Sequence, residues 1–455
     1  MKNSMNMTEG SIFRNLIYFA IPILIGNIFQ QLYNIADTAI IGNILGDKSL
    51  AAVGASTPVY GLLIGFSGGL TNGFAVVIAR HFGAKNESSL KKAVALTYLL
   101  SGIIAFVVTV SSLLALHPLM KALKTPSDII EQTESYMRII IIFSAVTIAY
   151  NMLSGMMRAV GNSKAPLLFL VISTFVNIGL DFLFVKGFGM GVAGAAYATV
   201  ISQGLSVVLC IVYAVRKCGF LVFRKSELVL DRPMLSDLLT TGLSMGLMFA
   251  IVSVGSVILQ SAVNSFGTST VTAHTAGRKI DEMFMLPLST IAMSASTFVS
   301  QNYGAGKMDR VKQGIRCSII IAQVWSIISL LIVVLLRVYL IRWITGTSDS
   351  EIIAAASKYL IWNVPFFFIL NVLLVLRTSL QGVGRKLVPV SGSIVEFAFK
   401  IIAVTVLAPK LGYFGVCISE PIIWAVCAVI VLADYAVFLK KTKLTPVGKE
   451  KAAAI

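Results

Sequence analysis

Charge is scarce in this chain. Only 13% of its 455 residues are Asp, Glu, Lys or Arg, 57% are hydrophobic, and mean hydropathy is +0.88. Globular soluble domains carry about a quarter charged residues, so that class is excluded and an integral membrane protein is indicated. Histidine is scarcer still. His81, His117 and His274 fall in different segments and form no metal-ligand pattern. The five cysteines (Cys210, Cys218, Cys317, Cys417, Cys427) show neither close pairing nor metal spacing, and read as small hydrophobes. A cleavable leader is not expected either. The first apolar run contains Asn27, Gln30, Gln31, Asn34 and Asp37 and continues into a full span. GMGVAG (189–194) has the spacing of a dinucleotide loop, but no strand precedes it, and a turn is expected. YGAGKM (303–308) departs from a phosphate loop at Gln301 and Met308. No catalytic constellation is present, so the chain is not read as an enzyme.

What the chain has is apolar length. About 20 residues cross a bilayer core, and twelve such stretches can be placed, near 13–41, 51–79, 93–116, 129–157, 165–185, 192–215, 235–265, 270–300, 313–336, 352–380, 387–408 and 413–439. The net charge of +17 is then explained by topology rather than by binding nucleic acid. With both termini cytoplasmic, inside segments hold 24 of the 37 basic residues and outside loops hold seven. The expected location is the cell inner (plasma) membrane, crossed many times.

An internal repeat is visible. ARHFGAKNESSLKKAV (79–94) aligns with SQNYGAGKMDRVKQGI (300–315) at +221, and RAVGNSKAP (158–166) aligns with QGVGRKLVP (381–389) at +223. Each unit has six spans, an even number, so the repeats run parallel. The fold expected is all-α, with twelve transmembrane helices in two pseudo-symmetric six-helix lobes. Residues 1–215 form the first lobe, 216–234 a basic cytoplasmic linker, and 235–455 the second lobe and its basic tail. A cleft between such lobes is a common place for substrate.

Polar stripes mark the helix faces expected to turn away from lipid. Ser173, Asn177 and Asp181 stack at i, i+4 and i+8. Asn27, Gln30, Asn34 and Asp37 have spacings of three, four and three, while Thr199, Gln203 and Ser206 supply a third stripe. A lone aspartate at mid-helix costs roughly 2.5–3.5 kcal/mol on insertion scales and should face the bundle. Two converging carboxylates need positive charge, which a shared proton or a sodium ion among Asp37, Asn177, Asp181 and Thr199 would supply. The blander reading is that Asp181 snorkels or pairs with Lys186. In the second half, Arg278 can reach Asp281 or Glu282, and Glu396 can reach Lys400. Self-neutralising pairs are the simpler reading. The sharper one is a cleft wall where Asp281 or Glu282 meets a cationic substrate. Gln30, Asn34, Asn151, Gln203 and Gln260 are further candidates for lining that cleft. Met152, Met156 and Met157 read as core filler rather than drug contacts.

PILIGNIFQQLYNIADTAIIG (22–42), NIGLDFLFV (177–185), AAYAT (195–199), and FGA and YGAGK after the second and eighth spans resemble the multidrug and toxic compound extrusion (MATE) transporters. The likeness covers nearly the whole chain and keeps motif order. It implies cation-coupled efflux of amphipathic, drug-like cations by alternating access, with sodium or protons as the coupling ion and no cofactor. It also assigns Asp37, Asn177, Asp181 and Thr199 to the coupling-cation site, and Pro22 to a first-helix bend. There is one departure: 238–265 and 352–380 contain no Asp or Glu, against the carboxylates some members carry there. The expected partners are membrane lipid and small drug-like substrates, with no nucleic acid, and a monomer is expected. Two rivals are a flippase of related fold for lipid-linked precursors and an intramembrane lipid-modifying enzyme.

Overall fold

The computed structural model describes residues 6–123 and 125–444; the basic tail from 445 to 455 lies outside them. Every regular element among the described residues is helical. Eleven helices there are long and apolar enough to cross a membrane, or twelve if one bent pair counts as a single span. They are α1 (Ile12–Leu45), α2 (Asp47–Gly83), α3 (Glu87–Ala122), the bent pair α4 (Ile130–Ile142 with Ser144–Ala159), α5 (Lys164–Gly187), α6 (Gly191–Lys217), α7 (Arg232–Asn264), α8 (Thr268–Gly304), α9 (Met308–Thr345), α10 (Ser350–Gly382), α11 (Leu387–Leu411) and α12 (Tyr413–Thr442). Each expected span lies within one of these to within a residue. The helices overrun the expected ends because hydropathy marks only the apolar stretch, whereas hydrogen bonding continues into the polar turns.

The fourth span is not straight. It bends by 49° at Phe143, with no proline to announce the break. Thr109 and Ser144 share a hydrogen bond of 2.8 Å beside it.

By compactness the described chain forms two units. One is Ile21–Ala250; the other joins Met7–Ala20 to the chain from Ile251 onward. The division therefore cuts α1 next to Pro22 and α7 near its middle. In the first unit α2 packs on the second half of α4 and α5 packs on α6; in the second, α8 packs on α10 and α11 on α12.

Turn geometry repeats with the sequence offset. Gly46 and Gly267 both precede a helix, with φ of 81° and 89°, Gly161 and Gly384 both have φ of 85°, and Gly189 and Gly412 have φ of 64° and 61°. Lys85, at φ 54°, matches Gly306, at φ 69°. Among the described residues Lys85 is the only non-glycine in the left-handed region. The expected turn at GMGVAG is present, with Gly189 and Gly191 both at positive φ.

Two local contacts explain the unit memberships. Gly69 and Gly73 of α2 meet the first half of α7 so closely that a Cβ on Gly73 would lie 2.6 Å from both Gly242 Cα and the Thr241 oxygen. A Cβ on Gly242 would strike the Phe74 ring at 2.6 Å. This is small-xxx-small packing from both sides, and Arg80–Asp237, at 3.1 Å, closes its end. In the second unit the segment before α1 is held by α8 and α9. Gln301 accepts from Met7 N at 3.1 Å, Lys307 donates to Thr8 O at 2.9 Å, and Arg310 donates to the Met7, Glu9 and Gly10 carbonyls.

Candidate functional site

One residue of each stripe, Ser173 on α5 and Ser206 on α6, lies in the contact between these two helices. Ser173 donates to Ser202 O at 2.6 Å and Ser206 to Phe169 O at 3.3 Å, which draws the two helices together along the polar seam. α1 joins them through Tyr33, whose hydroxyl donates to Thr199 Oγ1 at 2.8 Å. One turn along α1 from Tyr33 sits Asp37.

Burial sets the character of this nest. Asn177 and Asp181 are 0% exposed and Asp37 is 7% exposed. Both Asp181 oxygens, Asp37 Oδ1 and both amide ends of Asn177 are buried and make no hydrogen bond among the described residues. Asp37 lies within reach of the Asp181 charge, and the Tyr136 hydroxyl feels both. The reading in which Asp181 snorkels or pairs with Lys186 is therefore not what the structure has. Leaving a buried polar group unpaired costs about 1–3 kcal/mol, more when it is charged, and a small cation or protons would offset that cost in this oxygen-rich cluster. Its chemistry suits a hard cation: carboxylate, amide and hydroxyl oxygens, with no thiolate or imidazole. Among the described residues no cluster of three His, Cys, Asp or Glu fits a bound metal ion.

Sequence reasoning missed the tyrosines. Tyr33, Tyr60 and Tyr136 all sense Asp37. The one local signal was Tyr33, four residues before Asp37 and so on the same helix face. Tyr60 and Tyr136 come from α2 and α4, and only packing brings them in.

The remaining candidates scatter. Pro22 is buried, and α1 continues through it without a break. Gln30 and Asn151 are half-buried and Asn34 is exposed, whereas Gln203 accepts from Thr147 Oγ1 at 2.6 Å. In the second unit, Gln260 and Glu282 line a cavity of about 280 Å³ with Ser256, His274, Arg278 and Glu420. Asp281 is 0% exposed and lies off that lining, with both oxygens unpartnered among the described residues. The reason is rotation: i+3 and i+4 from Arg278 fall about 100° apart around the helix, so Glu282 faces the cavity and Asp281 the packed side. Arg278 takes Glu282 at 3.2 Å and, beyond the expected pairings, Glu420 at 2.9 Å. Lys400 pairs with Glu396 at 3.3 Å as expected, and Arg377 joins at 3.7 Å. Met152, Met156 and Met157 are buried in the first unit's core.

A many-span helical bundle with an internal repeat and a buried polar nest has the build of a membrane transporter. The chain belongs to the MatE family, whose model matches residues 22–183 and 245–406, two stretches displaced by the same 223 residues that align RAVGNSKAP with QGVGRKLVP. It is a transport protein, not an enzyme. It is 27% identical over 453 residues to a probable multidrug resistance protein, YoeA, of Bacillus subtilis, covering 96% of each chain. It is 28% identical over 391 residues to a second from that organism, YpnP, covering 84% of this chain and 85% of that one. A MOP superfamily transporter from Pyrococcus furiosus has the same fold, with a TM-score of 0.88, 23% identity, and coverage of 97% of this chain and 98% of that one.

Proposed function

We propose that the chain is a cation-coupled multidrug efflux antiporter that exports amphipathic compounds by alternating access. The observation that carries this reading is the buried pair Asp37 and Asp181, in which Asp37 Oδ1 and both Asp181 oxygens have no hydrogen-bond partner among the described residues, with Asn177 equally unpartnered one turn before Asp181. Sodium or protons entering this nest would satisfy oxygens that have nothing else to bind. Thr199 completes the set, oriented by Tyr33. One charge moving inward through 100 mV releases about 2.3 kcal/mol, enough to drive export without ATP.

Coupling needs a difference in affinity between two states. Pro22 lies beside the point where α1 passes from one compact unit to the other, which supports a bend of α1 there as the moving part. The reading includes two six-span lobes divided at 216–234, both termini cytoplasmic, and a plasma-membrane location, in keeping with the basic inside loops. The names of the two Bacillus relatives support drug-like cargo. The test is efflux from proteoliposomes with sodium and pH gradients imposed separately. Wild type should respond to one of them, and Asp37→Asn and Asp181→Asn should each abolish the gradient-driven component. Wild-type coupling in both variants would remove the site from the mechanism.

A further inference from the structure

From the second unit's cavity we infer that it binds an amphipathic small molecule through a carboxylate, alone or as one pole of a zwitterion, and that Lys279 is the residue that selects for it. Lys279 and Thr275 are exposed in this cavity, one turn apart on α8. Neither makes a hydrogen bond or ion pair among the described residues. Lys279 stands eleven residues inside α8, about 16 Å along its axis. An ammonium that deep in a membrane span is costly unless water or an anion reaches it.

The acidic groups nearby do not supply that anion. Glu420 and Glu282 share the Arg278 guanidinium, and Glu420 also accepts from the Tyr359 hydroxyl at 3.4 Å. Asp281 is shut away behind them. The cavity therefore presents an open cation with a hydroxyl beside it, and its acidic side is already half neutralised. A simple monocation finds repulsion at Lys279, whereas a carboxylate there accepts from both Lys279 and Thr275. A half-free Glu282 remains for a basic group at the other end of the same molecule. At about 280 Å³ the cavity holds the polar head of such a ligand, with Leu259 on its wall for an apolar body.

This deepens the efflux reading and rests on it for transport, but binding can be read alone. The full chain, purified in detergent, is titrated with a fluorescent aromatic carboxylate and with its primary amide. The carboxylate should bind about tenfold or more tightly than the amide, the range for one charge-assisted hydrogen bond. Lys279→Gln should erase that preference and Lys279→Arg should keep it. Equal wild-type affinities, or a preference that survives Lys279→Gln, would overturn the assignment, and the wild-type comparison needs no variant to fold. Efflux of a cationic dye is run alongside: if the dye is exported and the carboxylate is neither bound nor moved, this inference fails while the exporter reading stands. If the carboxylate binds selectively but nothing is exported, the exporter reading fails instead.

Discussion

The contact between α2 and the first half of α7 offers a perturbation whose size can be worked out. Gly73→Ala places a methyl 2.6 Å from two backbone atoms, Gly242 Cα and Thr241 O, where ordinary contact is 3.4 Å or more. Neither atom can rotate aside, so the helices must separate by about 1 Å or the backbone must yield. Overpacking of this kind costs about 1–3 kcal/mol, and rigid backbone on the far side puts it near the top of that range. Alanine returns about 1 kcal/mol of helix propensity over glycine. The net expectation is a loss of about 2 kcal/mol. Gly102→Ala in α3 is the matched control, because a Cβ there meets nothing within 4 Å and only the propensity gain applies. Thermal unfolding of the purified protein should rank Gly102→Ala at or above wild type and Gly73→Ala below it. If Gly73→Ala melts at or above Gly102→Ala, the close approach of these helices is not what holds the first half of α7 in its unit.

Lys85→Gly should stabilise the chain by about 0.5–1 kcal/mol, since it removes a left-handed lysine, while Gly306→Ala at the matching turn should cost about 1–2 kcal/mol; urea or thermal midpoints decide, and opposite signs would refute the paired-turn argument. Glu396→Gln leaves buried Arg377 and Lys400 without their carboxylate and should destabilise by about 3–5 kcal/mol, whereas Asp281→Asn loses no partner and should be neutral or stabilising; equal losses in the two melts would contradict this difference.

The spans, the repeat and the polar stripes of α1, α5 and α6 were legible in the amino-acid order alone. A twenty-residue apolar stretch has few alternatives in a bilayer, and a turn that needs positive φ favours glycine, as at both Gly161 and Gly384, although Lys85 stands where its counterpart is Gly306. The i, i+4 stripe of Ser173, Asn177 and Asp181 likewise announced a protected face, because that spacing is local to one helix. Tertiary structure decided which faces meet. It set Tyr60 and Tyr136 around Asp37, gave Arg278 to Glu420 as well as Glu282, sealed Asp281 one step round the same helix, and broke α4 at Phe143. Periodicity reports the rotation of a residue on its own helix, while the rotation of one helix against another is set by side-chain packing between segments far apart in the chain. That information is spread over all the contacting residues, and no single stretch carries it.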